Sequence, residues 1–199
     1  MPTKHVVKHY CTPAYYHVYN RASGERLLFR SDEDRDYFAS LLQKYLAETE
    51  QPDGEMTRVY PVEVVAYCLM GTHFHLLLYQ EEEVEAISGY MRSIGTAYSM
   101  YYNRKYRSKG HVFQSSFRAS HILHEAYLAH ITRYIHLNPR YYASWQWSSY
   151  RAYVGDHLPW LHPERVLDMP PEKYAEFVAE YGDVDKRKQY TEIKSFLVF

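Results

Sequence analysis

Cysteine is scarce in this chain of 199 residues. Only Cys11 and Cys68 are present, with no CxxC spacing, which excludes a disulfide framework. Long apolar runs are missing as well. None approaches the roughly 18 residues of a membrane span, and the opening MPTKHVVKHYCTP lacks the continuous apolar stretch of a secretory signal. There is no internal repeat, no low-complexity tract and no Gly/Ser linker. These absences lead us to expect a soluble, cytoplasmic protein with reduced thiols. A mass of 23.8 kDa suits one domain, or one domain with a small appendage. Folding at this length buries roughly 70% of the surface of the unfolded chain, enough for a self-sufficient core.

What the chain has in excess is tyrosine and histidine: 23 tyrosines against 8 phenylalanines, and 12 histidines. Its net charge of −1 conceals an asymmetry. Between Ala86 and Gly155 stand nine basic residues (Arg92, Arg104, Lys105, Arg107, Lys109, Arg118, Arg133, Arg140 and Arg151) against a single acid, Glu125. Basic residues interleaved with tyrosines suit a polyanion that can also stack, which is single-stranded nucleic acid. A merely solvated helix surface accounts for the charge equally well.

The pattern predicts a strand over Ala14–Asn20, a turn at Gly24 and a short returning strand at Leu27–Phe29. Ser31 followed by Asp32, Glu33 and Asp34 predicts a helix start, with the helix running to about Glu48 and a turn at Gln51–Gly54. Val59–Met70 and His73–Tyr79 read as a hairpin around Gly71-Thr72. A long helix over Val84–Tyr106 follows, its cationic end complementing the helix dipole. Beyond it come a strand near Phe117–Ile122 and a helix from about His124 to Leu137, stopped by Asn138-Pro139. Trp145, Trp147, Tyr150 and Tyr153 are expected to dock on the core, and a last helix is expected near Pro171–Tyr181. This order predicts an α+β fold: a ferredoxin-like or RRM-like antiparallel sheet covered by helices.

Two local features carry candidate chemistry. In His73-Phe74-His75 the strand period of two sends both imidazoles to one face and Phe74 to the other. Such a pair can supply two metal ligands, or can be the ordinary polar face of a half-exposed strand. In the helix, His130, Tyr134 and Asn138 recur at intervals of four and share a stripe. Asn138 also suits a plain helix C-cap.

Together these features resemble the single-tyrosine HUH transposases, especially the REP-associated tyrosine transposases. Met70-Gly71-Thr72-His73-Phe74-His75-Leu76-Leu77-Leu78 is similar to their histidine–hydrophobic–histidine strand, and Arg133–Pro139 to their catalytic helix. Tyr16–Arg21, Phe29 with Asp32–Asp36, and Trp147–Tyr150 agree in order. The resemblance covers about Ala14–Tyr153. Gly71-Thr72 and Tyr141-Tyr142 depart from the usual pattern, and Pro159–Phe199 has no counterpart.

The resemblance implies an HUH-type domain at 1–155 with an extension at 156–199. It also implies a divalent metal, Mg²⁺ or Mn²⁺, held by His73, His75 and Asn138, and Tyr134 as nucleophile. A phenol with an ordinary pKa of about 10 needs such help to attack a phosphodiester. The implied product is a 5′-phosphotyrosine, and the implied substrate is single-stranded DNA carrying hairpins. Arg92, Arg104, Lys105, Arg107, Lys109 and Arg118 become candidate DNA contacts, and Tyr98, Tyr101 and Tyr102 candidate stacking or core residues. His130 is a candidate for the layer behind the site, polarising Tyr134 or joining the metal shell, unless it is simply a packed surface histidine. A monomer with its tyrosine in cis is favoured over a dimer, associated with the nucleoid when bound to DNA, with no membrane and no protein partner. Two alternatives stay open: a hairpin-binding protein without turnover, and a metal-dependent phosphodiesterase using water.

Overall fold

The computed structural model describes residues 10–47, 56–182, 186–195 and 197–198; the turn expected at Gln51–Gly54 lies outside them. Strand β1 (Ala14–Arg21) leads through helix α1 (Asp32–Lys44) to the hairpin β2 (Val62–Leu69) and β3 (His73–Gln80). Helix α2 (Ala86–Lys105) and strand β4 (Arg118–Ile122) complete a βαββαβ unit. The sheet order is β2-β3-β1-β4, with a two-residue β5 (Leu197–Val198) added beside β4. All pairings are antiparallel. This is the expected ferredoxin-like arrangement.

Strand alternation divides the core. Tyr16, Val18, Phe74, Leu76 and Leu78 face α1 and α2. Tyr15, Leu77 and Tyr79 face the opposite layer, built from α3 (Leu128–His136), α4 (Tyr150–Tyr153), α5 (Pro171–Ala179) and α6 (Lys186–Ser195). The sheet is therefore covered on both faces, and the segment after Gly155 belongs to the second layer through Tyr174, Val178 and Ile193. A bulge in β2 places Val65 and Ala66 on the same side, and the Tyr153 hydroxyl donates to the Val65 carbonyl there (3.0 Å).

The β2 flank of the sheet is protected, as an exposed strand edge would invite pairing with other chains. Leu69 N donates to Trp147 O and Ser149 N to Tyr67 O, while the Trp145 indole donates to Leu69 O (3.1 Å). The tryptophans thus dock as expected, on the free side of β2.

The expected strand at Leu27–Phe29 does not form. β1 is central, with both its edges taken by β3 and β4, so a returning segment finds no ladder to join. Instead the amides of Leu28 and Phe29 both donate to Gly71 O, pinning the β2–β3 turn.

The tyrosine excess has a structural origin on α2. Tyr90, Tyr98 and Tyr102 are buried, and their hydroxyls donate to the carbonyls of Leu42, Leu28 and Leu27. Tyr101 donates to Asp34. A phenylalanine would fill the same space and leave each of those acceptors without this donor. Tyr98 and Tyr102 are consequently core residues with no ring face left for a base, while Tyr101 is half-buried and anchored to Asp34.

Candidate active site

β3 and α3 bring the sequence-predicted residues together on the second face of the sheet. The His73 and His75 rings project to the same side with centroids 5.2 Å apart. The Tyr134 ring stands edge-on to His75 at 5.5 Å. His73 Nε2 lies 3.3 Å from Asn138 Oδ1, and the Asn138 Nδ2 donates to the Tyr134 carbonyl (3.1 Å). The cap reading of Asn138 is therefore met, and the geometry leaves its oxygen available for the ligand reading. Its nitrogen closes the C-terminal turn of α3, and this turns its oxygen toward His73.

Two groups missing from the sequence reading complete the constellation. His17, on the central strand, bonds through Nε2 to His75 Nδ1 at 2.9 Å, with the two rings nearly coplanar. Tyr19 pairs directly with His75 across the ladder. The alternation of β1 could have put His17 and Tyr19 on one face, but not on the face of His75; that needed the register. Burial lowers the His17 pKa to about 4. Burial, helped by the neighbouring His17 and His73, holds His75 well below the ordinary value. Both imidazoles are neutral at pH 7 and keep a nitrogen lone pair.

The donor set fits a small divalent cation. Adjacent ligands on an octahedral ion at about 2.1 Å lie about 3 Å apart, close to the separation of His73 Nε2 and Asn138 Oδ1. Among the described residues no three His, Cys, Asp or Glu side chains converge on a metal position. The donors on offer there are two imidazoles and an amide oxygen, and an ion held by them would meet no carboxylate or thiolate.

The candidate DNA contacts divide by location. Arg118 pairs with Tyr19, which pairs with His75, so Arg118 stands in the same row on the same face, about 10 Å from His75 at two strand spacings. Arg21, opposite His73, joins it and lay outside the basic segment picked out in the sequence. Arg92 lines a cleft of about 710 Å³ between α2 and the 113–117 segment, behind the sheet. Arg104, Arg107 and Lys109 are exposed at the end of α2 and in the turn after it. Lys105 is spent internally: its ammonium donates to Asp34 (2.7 Å), Glu33, Ser31 and Tyr101. His130 turns toward Arg133 (3.0 Å) and the ring of Phe177. Arg133 in turn stacks on Phe177 and Tyr181, at 4.2 and 3.8 Å. Tyr134 borders a narrow cavity shared with Tyr181, Gln189, Glu192 and Ile193, so the C-terminal extension reaches the nucleophile candidate.

None of the described helices is long and apolar enough to cross a membrane. A search of curated protein sequences gives no match. Among solved structures, a REP-associated tyrosine transposase bound to a REP hairpin is similar over 84% of this chain and 95% of its own, with a TM-score of 0.57 and 15% identity. At that identity the likeness establishes the fold. The family model of IS200-like transposases matches residues 12–138, nearly two thirds of the chain, a range that contains His73, His75, Tyr134 and Asn138. The chain belongs to the IS200-like transposase family.

Proposed function

We propose that this protein cleaves and rejoins single-stranded DNA beside hairpins of the REP type through a 5′-phosphotyrosine on Tyr134. The observation that carries the reading is the meeting of Tyr134 with the histidine pair of its own chain, 5.5 Å from the His75 ring. A centre completed within one chain supports a monomer acting in cis. The chemistry falls to 1–155, with 156–199 an extension packed on it.

A divalent ion, Mg²⁺ or Mn²⁺, held by His73, His75 and Asn138 would neutralise charge on the scissile phosphate's oxygens. The rest is done by the chain. Tyr134 Oη gives up its proton and forms a bond to phosphorus as the bond to O3′ breaks, and the leaving oxygen takes up a proton to become a free 3′-hydroxyl, so no net proton is gained or lost. The phosphodiester is conserved on the tyrosine, so a 3′-hydroxyl can attack it and restore the strand without a nucleotide cofactor. α3 fixes the phenol from one side, with the Asn138 cap holding its last turn. Arg118, at the end of the row of His75 and Tyr19, and Arg21, opposite His73, suit the phosphates on either side of the cut. Arg104, Arg107 and Lys109 suit the hairpin stem, whose binding is dominated by phosphates.

A second reading, hairpin binding without turnover, draws on the cavity where Tyr181, Gln189, Glu192 and Ile193 meet Tyr134. The two separate in one assay. The protein is incubated with single-stranded DNA bearing the hairpins that flank its own gene, with and without Mn²⁺, and run on a denaturing gel. A metal-dependent shifted band, absent in Tyr134→Phe, supports the enzyme. Tight hairpin binding with no band supports the binder. Cleavage that survives in Tyr134→Phe supports water as nucleophile and overturns the proposal.

A further inference from the structure

We infer that His17 is a positioning residue for the metal centre: it accepts the Nδ1 proton of His75 and so turns the His75 Nε2 lone pair toward the ion. The inference rests on the metal-centre reading above and deepens it.

Three observations carry it. First, the contact is specific: His17 Nε2 lies 2.9 Å from His75 Nδ1, with ring planes 11° apart, which is the in-plane geometry of a ring-to-ring hydrogen bond. Second, the contact leaves His75 one nitrogen, Nε2, for any other partner. A neutral imidazole carries a single N–H. For Nε2 to offer a lone pair the proton must sit on Nδ1, and the only way to keep the 2.9 Å contact is for His17 Nε2 to accept it. Third, the arrangement is unfavourable for packing alone. His17 is 2% exposed, and its own Nδ1 is buried with no hydrogen-bond partner among the described residues. A buried polar atom left in this way destabilises the fold, and a leucine or phenylalanine would fill the same strand position without it. The neighbouring ligand has its own support: His73 Nδ1 contacts Thr72 Oγ1 at 3.0 Å, leaving its Nε2 toward Asn138. Both imidazoles are thus held at Nδ1, and both present Nε2.

Outer partners of this kind typically change metal affinity 10–100-fold when removed. His17→Phe keeps the ring and removes the acceptor. His17→Gln places an amide oxygen near the position of Nε2 and keeps it. The test is calorimetric titration of each full-length protein with Mn²⁺ alone, beside its thermal midpoint. A ¹⁵N NMR spectrum of the imidazoles in the unaltered protein, with Zn²⁺ as a diamagnetic probe, reads the tautomer directly. We expect Mn²⁺ binding 10–100-fold weaker in His17→Phe and largely restored in His17→Gln, with His75 in the Nδ1–H form. Equal affinity in His17→Phe and the unaltered protein overturns the inference while leaving the metal centre standing. So does equal weakening in both variants, which marks a packing role, or a His75 proton on Nε2. No Mn²⁺ binding by the unaltered protein overturns both readings together.

Discussion

Asp34 should be among the most costly single positions to change outside the candidate active site. Its carboxylate is fully buried and accepts five hydrogen bonds. Oδ1 receives Tyr101 and Lys105, and Oδ2 receives the amides of Arg30 and Ser31 and the Tyr106 hydroxyl. Asp34→Asn keeps the shape but turns one acceptor into a donor. In either amide orientation at least two of these donors then face an N–H₂ group. At about 1–3 kcal/mol for each buried donor left unpaired, and with partial relaxation, the loss is about 3 kcal/mol. With a denaturant slope of about 2 kcal/mol/M, the urea midpoint should fall by about 1.5 M.

The pH dependence gives an independent check. Burial works to raise the Asp34 pKa, but the bonds from Lys105, Tyr106 and the two amides outweigh it and bring it from 3.8 to about 2. That gap is worth about 2 kcal/mol. Because the folded value is the lower one, the unfolded chain takes up the proton first as pH falls. The contribution is complete above about pH 4 and disappears as pH drops through about 2. Asp34→Asn should therefore show a flatter loss of stability between pH 4 and 2. A destabilisation below about 1 kcal/mol at pH 7, or an unchanged acid slope, would refute the reasoning.

Two further outcomes follow from the same geometry. Lys105→Met should lower stability yet leave the salt dependence of hairpin binding unchanged, because its ammonium is held by Asp34 and Glu33. Arg104→Ala should instead reduce the slope of log K against log salt by about 0.7–0.9 while stability stays within about 0.5 kcal/mol; fluorescence anisotropy across a salt series distinguishes them. Gly89→Ala should destabilise by about 1–3 kcal/mol in a urea titration, since the added Cβ meets the Tyr60 ring and overpacking outweighs the helix preference of alanine.

Much of this fold was legible from short-range pattern. The alternation in His73-Phe74-His75 put two imidazoles on one face, and the interval of four tied Tyr134 to Asn138. Both statements depend only on the local period of an element. What the sequence left dark depends on contacts between distant segments. His17 meets His75 across 58 positions, and only the β1–β3 register decides that the two share a face. Lys105 reads as one more cation of a basic run until Asp34, 71 positions away, is seen to hold it. The stacking role considered for Tyr98 and Tyr102 fails for a related reason. Helical spacing shows which side a tyrosine is on, but not that a loop carbonyl or a carboxylate waits for its hydroxyl. The Leu27–Phe29 segment has strand composition, yet β1 had no edge left to offer it.

The central claim is the identity of the nucleophile, and with 23 tyrosines in the chain it is best tested by locating the bond itself. The protein is incubated with hairpin-bearing single-stranded DNA and Mn²⁺, digested with nuclease and protease, and the nucleotide-bearing peptide is sequenced by mass spectrometry. The account predicts a single modified peptide carrying a 5′-phosphate linkage on Tyr134. The same linkage on any other tyrosine, or cleaved DNA with no tyrosine modified, would contradict it.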